Sequence, residues 1–148
     1  MNTKVQKLGI VVVLFAVISL AMGVAFIQQG FAKEAFLVEA MNNEQITLEG
    51  VEGVIDTAQE AQAAGDMVRE HRHGISPTYG ELLGEEHFNP ADPKQLTYAQ
   101  ALNLENYLYL AVASFGVFTV VKVTGIFMII MSLALGTIGY VMLSPAKD

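Results

Sequence analysis

Three histidines set among carboxylates are the residues best suited to chemistry. His71 and His73 lie beside Glu70, and His87 follows Glu85 and Glu86. Imidazole and carboxylate ligands together suit zinc or another divalent transition metal. The spacing works against such a site. Two positions apart on a helix, His71 and His73 point to different sides, and no H-E-x-x-H pattern occurs. His73 would also fall in the last turn before Gly74, which is expected to be the glycine just past a helix end. Glu70, His71, Arg72 and His73 therefore read as a solvated helix terminus whose cations offset the helix dipole. No metal site is expected; His71, His73 and His87 are the residues that a metal reading would have to use.

The other chemical groupings are poorer. No D-x-[DN]-x-[DN]-G loop is present for calcium, and Asn89 to Asp92 is too sparse. Ser76 and Thr47, Thr57, Thr78 and Thr97 supply hydroxyls, without a G-x-S-x-G elbow or S-x-x-K. The abundant carboxylates could pair as in glycosidases, but about eighty residues of loop is little material for a catalytic cleft. Tyr98, Tyr107, Tyr109, Phe115 and Phe118 recur at helical spacing, which reads as core or interfacial belt more readily than as a pigment box. No histidine lies in the apolar runs, which disfavours axial haem ligation there. No catalytic residue and no cofactor are expected, and the chain reads as a non-enzyme.

The elements that would position these residues follow from hydropathy. The chain has 148 residues, is 53% hydrophobic and only 16% charged. Leu8 to Ile27 is a 20-residue run without a charge, about 30 Å as a helix and one bilayer core in length. Leu108 to Leu143 carries one charge, Lys122. The expected organisation is a flank over 1–7, a span over 8–27, an acidic region over 28–107, an apolar outer helix part over 108–122, a span over 123–143 and a tail over 144–148. The middle region holds four basic against fourteen acidic residues. Lys4, Lys7 and Lys147 sit in the short flanks, so both termini are expected inside the cell membrane and the acidic region outside. Gly30-Phe31-Ala32 resembles a signal-peptide cleavage site, but the apolar core before it is longer than the usual 7–15 residues, so an uncleaved anchor is expected. A net charge of −7 argues against nucleic acid. The absence of Cys removes disulfides, thiolate metal sites and cysteine nucleophiles.

Small residues are placed regularly within the spans. Gly9, Ala16, Gly23 and Gly30 are each seven apart, and Gly125, Ser132, Gly136 and Gly139 share a face of the second run. A seven-residue period keeps one stripe against a partner helix, and small residues let backbones approach closely in lipid. Folding the runs antiparallel sets Gly9 opposite Gly139, Ala16 opposite Ser132 and Gly23 opposite Gly125. That register puts Lys122 beside Phe26 as an interface anchor, near Gln28 and Gln29, where its amine can snorkel to water. A homodimer through the same stripe is the competing arrangement.

Outside the spans, Phe31, Ala35, Val38 and Met41 extend the first helix, with Asn42-Asn43 as its expected end. Thr57 to Glu60 fits a capping box, and Ala58, Ala61, Ala64, Gly65, Val68 and Arg72 then line one stripe. Gln45 to Glu49 alternates like a strand but, interrupted by Gly50 and Gly53, is expected as an extended loop. Ser76 to Tyr79 can open a short helix anchored by Leu82 and Leu83. Thr97 to Gln100 fits a second capping box, predicting a helix from Tyr98 to Leu143. Glu105 and Lys122 are expected to meet polar groups of the first helix such as Gln28, Gln29 or Lys33. Residues 70–83 and 96–110 resemble segments of small, uncharacterised two-span bacterial membrane proteins laid out as span, polar extracytoplasmic region, span. That resemblance implies the same topology and no activity.

The expected fold is an all-α membrane protein: an antiparallel two-helix transmembrane hairpin whose long helices project into a small helical extracytoplasmic region. The expected role is a non-catalytic subunit or scaffold of a membrane assembly, its partners the lipid bilayer and another membrane protein or a second copy. An extracytoplasmic sensor or metal- or ligand-binding protein is the alternative.

Overall fold

The computed structural model describes residues 3–47 and 53–144. Over these the chain is helical: α1 (Thr3–Glu44), α2 (Ala58–Ile75), α3 (Tyr79–Leu83) and α4 (Pro93–Leu143). Leu48, Glu49 and Gly50 of the expected extended loop lie outside the described residues, as do Lys147 and Asp148 of the tail. Helices α1 and α4 have 42 and 51 residues, about 60 and 75 Å of rise, which exceeds a bilayer core of about 30 Å. Both are long and apolar enough to cross a membrane, and only 11% of the most apolar 18-residue window of each is buried within the chain. A core helix of a water-soluble domain would bury its apolar side.

Two compact units share these helices: Met1–Glu34 with Val117–Asp148, and Ala35–Gly116. In the first unit, contacts between α1 and α4 descend along α4 as they ascend along α1. Gly9 faces Met142 and Leu143, Gly23 faces Gly125, and Gly30 faces Lys122 and the Phe118 backbone. A Cβ on Gly125 would lie 2.7 Å from the Gly23 carbonyl oxygen, and one on Gly23 would lie 2.8 Å from that of Gly125. Neither position has room for a methyl group. The Ser19 hydroxyl donates to the Met128 carbonyl at 2.9 Å, a further interhelical tie of the kind that counts in lipid. The outward faces are apolar: Leu14, Phe15, Phe127 and Leu133 are all exposed.

The second unit is built around α2. Thr57 caps it, with its side chain accepting from the Glu60 amide and the Glu60 carboxylate accepting from the Thr57 amide. Its buried residues are Ala61, Ala64, Gly65, Val68 and Arg72, a stripe of mostly small side chains that admits close approach. Met41, Ile55, Leu108, Ala111 and Phe115 complete the core, and Gly65 leaves space that the Tyr109 ring occupies, 3.0 Å from where a Cβ would stand. Thr78 caps α3 by accepting from the Glu81 amide.

Three helix ends differ from the sequence expectation. Helix α4 starts at Pro93, not Tyr98. Asp92 accepts from the amides of Lys94 and Gln95, and proline at the first helical position gives up only an amide that has no partner there anyway. Thr97 is thus interior, its hydroxyl donating to the Pro93 carbonyl. Helix α2 continues through Gly74 to Ile75 and stops at extended Ser76, which precedes Pro77 and is pushed out of the helical region by that ring. Helix α1 passes Asn42-Asn43 and ends at Glu44, followed by Gln45 with φ 51°.

Candidate functional site

The largest buried polar grouping lies in the second unit, where α2 carries Arg72 and α4 carries Tyr98 and Glu105. Positions seven apart on α4 share a face, so Tyr98 and Glu105 both meet the arginine. Arg72 Nε donates to Glu105 Oε2 at 2.6 Å, and both side chains are under 10% exposed. Arg72 Nη1 donates to the Tyr98 hydroxyl, and the guanidinium carbon stands 4.9 Å from the centroid of the same ring. Nη2 lies 3.2 Å from His73 Nε2, which accepts, since a guanidinium can only donate. Tyr79 of α3 covers the group, its ring 6.0 Å from that of Tyr98. The hydrogen bond to Glu105 raises the Arg72 pKa above its ordinary value against the opposing effect of burial. Among the described residues no buried side-chain nitrogen or oxygen lacks a partner. Within the cluster the buried charge of Arg72 is matched by that of Glu105.

The reading of residues 70–73 as a solvated terminus holds for three of the four, and the stripe reading holds for Arg72. Glu70, His71 and His73 are exposed, but Arg72 turns inward because the stripe on which it sits is the buried one. Glu105 likewise meets α2, not a polar group of α1. The sequence carried the components of this pair, on one stripe of α2 and one face of α4, without the long-range pairing.

A second polar group lies on the surface of α2. The Tyr109 hydroxyl donates to Asp66 Oδ1 at 2.7 Å, Arg69 pairs with the same oxygen at 2.9 Å, and the Arg69 guanidinium lies over the Tyr109 ring. Partial burial, then the bond to Asp66, pushes the Tyr109 pKa up to about 12. The bonds from Tyr109 and Gln62 hold Asp66 below its ordinary value.

In the first unit Lys122 Nζ reaches Glu34 Oε2 at 2.6 Å and stands 4.8 Å from the Phe31 ring centroid. It passes over Gly30, where its Cγ would be 2.6 Å from a Cβ. The sequence register expects it beside Phe26, Gln28 and Gln29; the carboxylate of Glu34, which sequence reasoning did not single out, draws it further along α1. Of the small residues, Gly23 meets Gly125, and a Cβ on Gly139 would stand 3.3 Å from the Gly9 carbonyl oxygen. Ala16 and Ser132 are both buried and border one apolar groove with Gly136, whose Cβ would be 3.9 Å from that of Ala16.

His71 and His87 are exposed, and among the described residues no three histidine or carboxylate side chains gather into a metal-binding set. An open groove of about 580 Å³ lies in the second unit, bordered by Glu44, Gln100, Asn103, Asn106, Tyr107 and Leu110. The chain matches no family model, no curated protein and no solved structure.

Proposed function

We propose that the chain is a non-catalytic integral membrane protein, a subunit or scaffold of a membrane assembly. In this reading α1 and α4 form an antiparallel hairpin in the cell membrane, with residues 28–107 on the extracytoplasmic side and both termini in the cytoplasm. The close Gly23–Gly125 contact between two helices whose other faces stay apolar and uncovered carries the reading. Such faces suit lipid and neighbouring helices, and small residues at the contact are the usual means of helix association in a bilayer. The buried Arg72–Glu105–Tyr98 bonds support a structural role for the buried charges. Lys4 and Lys7 in the short leading flank support the orientation.

Extraction in mild detergent followed by native electrophoresis and identification of co-purifying proteins tests the role. A defined complex larger than one chain is expected; a chain that always migrates as a lone monomer contradicts it. Protease protection in sealed cells tests the orientation, with cleavage between 28 and 107 from the outside expected and protection of that stretch opposing it.

A further inference from the structure

We propose that the open groove on α4 of the second unit is a binding site for an uncharged saccharide. Gln100, Asn103 and Asn106 succeed one another at three-residue steps, so their carboxamides rise along one side of the helix at about 4.5 Å intervals. Glu44, at the end of α1, and Tyr107 border the same groove. Glu105, between Asn103 and Asn106, points the other way to Arg72. The four polar residues Glu44, Gln100, Asn103 and Asn106 are exposed, and none of the five polar side chains makes a hydrogen bond to another described residue. Elsewhere in the unit the amides of Asn42, Gln62, Asn89 and Gln95 do bond the protein itself.

The chemistry of the lining selects the ligand class. A carboxamide offers donors and an acceptor together, and a carboxylate accepts on two oxygens. Vicinal hydroxyls, each both donor and acceptor, match such groups in pairs. Leu104 and Leu110 lie beside the amides and, with the Tyr107 ring, give the apolar surface on which the C–H face of a pyranose rests. The groove contains no lysine, arginine or histidine, which disfavours phosphate or carboxylate ligands. A simple cation would use Glu44 and leave three amides idle. The volume of about 580 Å³ lies in the ordinary range for small-ligand sites. This inference goes beyond the scaffold reading and does not rest on it.

The test uses the full chain in lipid nanodiscs, because maltoside detergents carry saccharide headgroups that would compete. Maltotriose, cellotriose and N,N′,N″-triacetylchitotriose are each titrated to about 10 mM, with binding followed by calorimetry and by the side-chain amide signals of isotopically labelled protein. Saturable binding of at least one, with a Kd of about 1 mM or below, is expected. Asn103→Ala with Asn106→Ala should weaken it by about tenfold or more, while Gln59→Ala, an exposed amide on α2, leaves it unchanged. Both asparagines are exposed, so the double variant should keep the parent melting temperature. Three failures overturn the proposal: no binding of any trisaccharide, binding indifferent to the double variant, or equal and asparagine-dependent binding of hexaglycine, which would mark a peptide groove. None of these outcomes alters the expected migration on native gels, so the two proposals fail separately.

Discussion

Arg72 ties α2 to α4 in the second unit through buried bonds. Its guanidinium holds Glu105, Tyr98 and His73 at once, and the bonds to Glu105 and Tyr98 are buried from water. Removing one member of a buried pair leaves the other charged and unsolvated, which costs about 3 kcal/mol. Arg72→Met is therefore expected to lower the unfolding free energy by about that amount. Arg72→Met combined with Glu105→Leu should restore much of it, because neither charge then remains. Urea unfolding followed by circular dichroism measures both; equal losses in the single and double variants would contradict the coupling. Tyr109 makes a separate prediction. Its folded pKa is raised to about 12, so its contribution to stability is complete below the ordinary tyrosine pKa and is lost as pH climbs through the folded value. Carbon-13 ring resonances should show Tyr109 ionising well above the ordinary tyrosine pKa, and Asp66→Asn should bring that transition down part of the way. Partial burial, the larger cause, would keep the remainder. Asp66 runs in the opposite sense: its depressed pKa contributes stability above the ordinary carboxylate range that disappears as pH falls through the folded value.

At the scale of elements, the short-range signals were the legible ones. The stripe of α2 could be read because Ala61, Ala64, Gly65 and Val68 recur at helical spacing, and the Thr57 box because both its partners lie within four residues. Thr97 is the start of α4 expected from the sequence, and the structure starts the helix at Asp92-Pro93 instead. A proline at the first position needs no amide partner, and Asp92 satisfies two free amides. Asp92→Ala should destabilise the second unit by about 1 kcal/mol, with Thr97→Ala costing less; thermal melts that reverse this order would restore Thr97 as the cap. What stayed illegible were the partners at long range. Arg72 and Glu105 are 33 positions apart, and Lys122 and Glu34 are 88 apart. Periodicity names the face on which a charge sits, but not which opposite charge the fold will bring to it. The polar start of α4 shows this directly, since Glu105 goes inward while Asn103 and Asn106 stay exposed.

At the scale of the molecule, two helices with apolar outer faces and a glycine-lined contact suit a bilayer, where a close backbone fit replaces the hydrophobic drive that holds soluble helices together. The absence of cysteine from the chain makes that fit easy to probe. Ala16 and Gly136 have Cβ positions 3.9 Å apart, inside the span of about 3.5–4.5 Å that a disulfide requires. The decisive measurement is oxidation of the A16C/G136C double variant in native membranes, read by non-reducing electrophoresis. An intramolecular cross-link is expected, seen as a faster-migrating monomer that reverts on reduction. A cross-link found only between two chains, or none at all, would contradict the paired helices from which the membrane reading proceeds.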